Sequence, residues 1–131
     1  MEDYKYNFAL LIDDNEIDNF INKKLLQKTR FSQEIKDVTS GLKALEYLKE
    51  NAATPDRLPD IIFLDIMMPV MDGFEFLEEF DKLTNEVKNK PRIIMLSSTE
   101  SFKDLNRANS NKYVYKFLNK PLTEPALAAI R

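Results

Sequence analysis

Four places in the sequence set a chemically capable side chain directly after a short apolar run. Asp13-Asp14 follow Phe8-Ala9-Leu10-Leu11-Ile12, and Asp65 follows Ile61-Ile62-Phe63-Leu64. Ser97-Ser98 follow Ile93-Ile94-Met95-Leu96, and Lys120-Pro121 come just after a run ending near Leu118. If they meet, three carboxylates, a hydroxyl and an amine have a definite chemistry. Carboxylates held close together repel, which raises the pKa of at least one unless a cation lies among them. Magnesium suits such a set, because it takes a few carboxylates, waters and phosphate oxygens and needs no nitrogen or sulfur. An ionised aspartate can attack phosphorus and form an aspartyl phosphate. Charge on the transferring group is then stabilised by the metal and by a fixed ammonium such as Lys120. A hydroxyl at Ser97 can donate to a phosphoryl oxygen.

Each residue alone has a plainer reading. Asp14 can be a turn former or helix cap, Ser97 and Ser98 can cap the helix that follows, and Lys120 can be a solvated surface lysine. Asp65 is harder to set aside, since a carboxylate flanked by Leu64 and Ile-Met-Met-Pro needs a partner. The joint occurrence at successive run ends favours a shared site.

The elements that must position these groups alternate. The continuous apolar runs Phe8–Ile12, Ile61–Leu64 and Ile93–Leu96 read as strands buried on both faces. Weaker strands are predicted over Gln33–Val38 and about Tyr113–Leu118. Helical spacing appears in Ile17, Phe20, Ile21 and Leu25, with Asp14 and Asn15 as available caps. It recurs in Leu42, Leu45 and Leu48 after Gly41, in Phe74, Leu77 and Phe80 after Asp72-Gly73, near Phe102–Ala108, and from Glu124 onward. Ala52–Asp60, with Pro55 and Pro59, and the polar stretch Asn85–Pro91 read as loops. The resulting βαβαβαβαβα order argues for one α/β domain, a doubly wound parallel sheet with helices on both faces. In open sheets of this kind ligands bind beyond the carboxyl ends of the strands, where the four groups above fall.

Composition removes other chemistries. The 131 residues fit a single domain, and 44% hydrophobic with 31% charged residues is a globular balance. No cysteine means no disulfide, thiolate nucleophile or cysteine-bound zinc. No histidine means no Ser-His-Asp triad and no histidine phosphodonor in this chain. The two glycines, Gly41 and Gly73, are too far apart for a phosphate-cradling loop. A net charge of −3 gives no footprint for direct nucleic-acid binding. The apolar runs are too short to span a bilayer and the N-terminus lacks a secretion signal, so the expectation is a cytoplasmic protein without membrane contact.

With these residues placed, the sequence resembles the receiver domains of bacterial two-component response regulators, the CheY-like family, from about Phe8 to its end. The resemblance rests on Leu-Ile-Asp13-Asp14, on Leu64-Asp65-Ile-Met-Met-Pro69-Val-Met-Asp72-Gly73, on Met-Leu-Ser97-Ser98 and on Phe117-Leu-Asn-Lys120-Pro121. It implies a flavodoxin-like (βα)5 fold with strand order 2-1-3-4-5, residues 1–131 forming one receiver domain. It also implies that Asp65 is the phosphoacceptor. Asp14, Asp65 and the Met67 carbonyl would ligate Mg2+ directly, and Asp13 mostly through water. Lys120 would contact the phosphoryl group, Ser97 would be the switch hydroxyl and Phe117 the switch aromatic, and Lys120-Pro121 would be cis. The partners implied are a histidine kinase or histidine phosphotransfer protein as donor, and an unidentified downstream protein. The latter would read the face made by the fourth helix, fifth strand and fifth helix. Such a chain is a signalling switch that catalyses its own phosphorylation and dephosphorylation, not an enzyme acting on other substrates.

Two departures stand out. Ala108-Asn109-Ser110 replaces the small Gly-Ala pair often found before the last strand. Met67 and Thr99, flanking the site, offer no carboxylate or amide to orient a water, so a moderately long-lived phosphoryl group is expected. Two rival readings remain beside this one. A phosphorylation-independent interaction module would share the fold. A phosphohydrolase with an aspartyl nucleophile would need an acid two residues after Asp65, where Met67 stands.

Overall fold

A computed structural model describes residues 3–98 and 102–130. Five parallel strands form one sheet in the order β2-β1-β3-β4-β5: β1 Tyr6–Ile12, β2 Ser32–Val38, β3 Ile61–Asp65, β4 Arg92–Ser97 and β5 Val114–Asn119. This is the strand order implied by the resemblance. The helices are α1 Glu16–Lys28, α2 Gly41–Glu50, α3 Gly73–Phe80, α4 Asn85–Lys88, α5 Phe102–Asn109 and α6 Glu124–Ala128. The predicted fourth and fifth helices are thus α5 and α6. The stretch read as a loop over Asn85–Pro91 contains the single turn α4, held by burial of Val87, a lone apolar residue too isolated to show periodicity. The Ala52–Asp60 loop likewise carries a short 3-10 turn at Pro55–Arg57.

Period-two alternation sorts the strand side chains into two cores. Leu10, Ile12, Ile62, Leu64, Ile93 and Met95 face α2, α3 and α5, joining Leu45, Leu48, Phe76, Phe80 and Ala108. Ala9, Leu11, Ile61, Phe63, Ile94 and Leu96 face the other side, joining Leu26, Phe31 and Leu127. Strands buried on both sides have no polar face to show, which is why β1, β3 and β4 read as continuous apolar runs. Each such large side chain contributes about 1.5–3 kcal/mol on burial. These three strands therefore form a rigid base whose upper ends carry Asp13, Asp65 and Ser97.

Helix α1 turns the other way from the simplest reading of its pattern. Ile17, Phe20 and Ile21 are exposed, and Asn19, Asn22 and Leu26 face inward. On the inner face the Asn19 Nδ2 donates to both Asp13 O (2.9 Å) and Val38 O (3.2 Å), tying the helix to the carboxyl ends of β1 and β2. Among the described residues, no helix is long and apolar enough to cross a membrane.

Candidate functional site

Asp65 ends β3 with 3% of its surface exposed, between Leu64 and Ile66, and the Ile66 N–H donates to Leu96 O at 3.0 Å. The chain then makes a tight excursion. Met71 N–H donates to Pro69 O at 2.7 Å across Val70, whose φ is +68°, the geometry of a γ-turn, uncommon for a β-branched residue. Asp72 caps α3 by accepting from the Glu75 N–H, while Glu75 accepts from the Asp72 N–H, a reciprocal capping box. Gly73 lets this helix start against the strand end. A Cβ there would lie 2.8 Å from Asp65 O and 3.0 Å from Ile66 Cα.

At the end of β1, Asp13 is 3% exposed and Asp14 is exposed. Asp13 Oδ1 accepts from the Asn15 N–H at 2.9 Å. Asn15, not Asp14, caps α1, accepting from the N–H groups of Ile17 and Asp18. Asp14 thereby loses its plainer reading as a cap and is left beside the cleft. Asp13, Asp14 and Asp65 offer carboxylate oxygens that all lie within 4.8 Å of one another. Three carboxylate oxygens this close are a donor set that a hard divalent cation can take.

Lys120 follows β5, and its N–H donates to Ser97 O at 2.8 Å, pinning it beside β4. Its peptide bond to Pro121 is cis. The ammonium is largely buried and meets Asp13 Oδ2 at 2.6 Å, Asp65 Oδ1 at 3.2 Å and Asp18 Oδ2 at 3.3 Å. Burial opposes its charge, but the hydrogen bond to Asp13 and the attraction of Asp65 outweigh it and push the group up to about 12. Asp65 is moved the other way from a comfortable anion: burial first, then repulsion from Asp13, raise it from 3.8 to about 6 against the pull of Lys120. A carboxylate kept costly in its ionised form is one that gains from a cation or from transferring its charge to a phosphoryl group.

Ser97 ends β4 and is 1% exposed. Strand alternation puts it on the same sheet face as Met95, the register neighbour of half-buried Phe117 on β5. Met67 is 63% exposed, two residues after the end of β3. Thr99 and whatever caps the start of α5 lie outside the described residues. The structure thus brings Asp13, Asp14, Asp65, Ser97 and Lys120 to one edge of the sheet. The sequence reading missed Asp18, whose one signal was its place in the first turn of the helix that starts just after the Asp13-Asp14 pair.

The response regulator receiver domain model matches residues 9–130. The chain belongs to this family. Its solved relatives include the two component response regulator from Cytophaga hutchinsonii, 38% identical, with TM-score 0.88 over 95% of this chain and 92% of that one. A response regulator receiver protein from Dyadobacter fermentans is 32% identical, with TM-score 0.82 over 92% and 91%. The chemotaxis protein CheY of Halobacterium salinarum is 30% identical over 93% of this receiver chain and 94% of its own. Receiver relatives also sit inside much longer proteins. This chain spans 14% of the sensor histidine kinase CheAY of Helicobacter pylori, at 32% identity.

Proposed function

We propose that this receiver domain accepts a phosphoryl group on Asp65 and uses the resulting charge to repack the α5–β5–α6 face for a downstream protein. The observation that carries the reading is Asp65, buried at a strand end, 3.2 Å from the Lys120 ammonium and grouped with Asp13 and Asp14. The donor is a phosphohistidine of a histidine kinase or phosphotransfer protein in the cytoplasm. Asp65 Oδ attacks phosphorus as the phosphorus–nitrogen bond breaks, and the electron pair leaves with the donor imidazole. Asp13, Asp14 and Asp65, with the Met67 carbonyl, would hold a magnesium ion, which when bound neutralises charge on the phosphoryl oxygens. Lys120 steadies the same charge from the β5 side. Residues 1–131 act as one receiver unit in this scheme.

The exposed stripe Ile17, Phe20 and Ile21 on α1, with the exposed Met67 and Val70 that follow β3, offers an apolar rim on which a donor protein can dock. After transfer, Ser97 hydrogen-bonds a phosphoryl oxygen, and Phe117 moves into the space this vacates. Phe has no hydroxyl to hold at the surface, so its two positions differ by packing alone. Met67 supplies no acid for a leaving group, so the phosphohydrolase reading finds no support there. Incubation with phosphoramidate and magnesium, followed by intact-mass measurement, tests the proposal. Wild type gains one phosphoryl group, while Asp65→Asn and a metal-chelated sample gain none. An unmodified wild type, or a modified Asp65→Asn, sinks it.

A further inference from the structure

We infer that Asp18 is a positioning residue for Lys120, the third carboxylate that keeps its ammonium aimed into the cleft once Asp13 and Asp65 are engaged elsewhere. The inference rests on the phosphoacceptor reading above and goes beyond it. A lysine ammonium has three donor hydrogens, and here carboxylates from three different elements surround it: it donates to Asp13 after β1 and to Asp18 in the first turn of α1, and it forms an ion pair with Asp65 at the end of β3.

The three are not equivalent. Asp13 and Asp65 belong to the acidic group able to hold a cation, and Asp18 does not. When a cation occupies that group, two of the lysine's three partners turn part of their charge toward it. Asp65 also loses its full negative charge when its oxygen bonds to phosphorus. Asp18 alone keeps an undivided charge on Lys120 through the whole cycle, and it is half-exposed on a helix already fixed by Asn15 and Asn19. Without it, a long and flexible side chain has to find the phosphoryl oxygen from many rotamers, with the loss of orientation that removal of an outer orienting group brings.

The test compares wild type with Asp18→Ala, Asp18→Asn and Glu16→Ala, each judged folded from its backbone amide spectrum. Glu16 is an exposed acid in the same helical turn and makes no ion pair with Lys120, so it controls for charge alone. With phosphoramidate and magnesium, Asp18→Ala lowers the maximal phosphorylation rate about tenfold. The half-saturating donor concentration stays level or falls, since an anionic donor meets one less negative charge. Asp18→Asn, which keeps an oxygen acceptor, recovers part of the rate, and Glu16→Ala stays within about twofold of wild type. A second readout needs no turnover: in the magnesium-bound, unphosphorylated protein, the Lys120 ammonium signal in a lysine-selective nitrogen–proton spectrum is lost to solvent exchange in Asp18→Ala. A wild-type rate in Asp18→Ala, or an equal loss in Glu16→Ala, overturns the inference while leaving Asp65 as phosphoacceptor. A wild type that takes no phosphoryl group overturns both.

Discussion

Asp65→Asn should make the magnesium-free protein more stable, and more so as pH rises. The Asp65 carboxyl is raised from 3.8 to about 6, by burial first and by Asp13 second. A folded-state value above the unfolded one means the native protein binds more protons between those two pH values. Native stability therefore falls as pH climbs from about 4 to about 6, and the loss is complete above that window. The gap corresponds to up to about 3 kcal/mol at neutral pH, a large share of the usual 5–15 kcal/mol of a small domain. Lys120 has already been counted, since its attraction lowers the value that burial and repulsion raise. Asparagine keeps the shape and removes the charge, so most of the penalty disappears with it. Urea unfolding of both proteins between pH 4 and pH 8, without magnesium, measures the difference directly. The two curves should meet near pH 4 and separate by about 2–3 kcal/mol by pH 7. Magnesium should narrow the gap by stabilising wild type alone. A difference that is flat with pH, or that favours wild type at pH 7, refutes the account of Asp65 as a strained anion.

Three further outcomes follow from the geometry. Gly73→Ala places a methyl group 2.8 Å from Asp65 O and 3.0 Å from Met95 Cε, so it should cost about 1–3 kcal/mol in urea unfolding. Val70→Gly relieves a positive φ on a residue that is 89% exposed, and thermal unfolding should show a gain of up to about 1 kcal/mol after the entropy cost of glycine. Phe117→Ala should still be phosphorylated on Asp65 but lose its response at the α5–β5–α6 face; an unchanged response, read by amide shifts on that face, contradicts the packing switch.

How much was readable in advance depended on which force placed each residue. The three central strands and their carboxyl ends were legible because burial on both faces leaves only apolar residues, and the first polar residue after such a run has to lie at the sheet edge. Asp13, Asp65 and Ser97 could be located in that way without coordinates. Residues placed by hydrogen bonding rather than by burial were not legible. The pattern Ile17, Phe20, Ile21 looks like an inward stripe, yet Asn19 takes the inner face to serve the carbonyls of Asp13 and Val38. A hydropathy pattern cannot register a demand for donors that arises only when two strand ends meet. The turn α4 escaped for a related reason, since one buried Val87 makes no period.

The same distinction bears on the site itself. The acids that gather at the strand ends arrive by the logic of the sheet, whatever the chain does with them. Asp18 arrives by a different route, on an α1 that sits with Asn19 turned inward and with its first turn in reach of Lys120. The apolar rim and the third partner of Lys120 are thus two consequences of one rotation. If that rotation is what suits the cleft to its chemistry, Asn19→Leu, which would favour turning the helix, should disturb the Asp18–Lys120 pair and the exposed stripe together. Loss of one without the other would show that they are set independently.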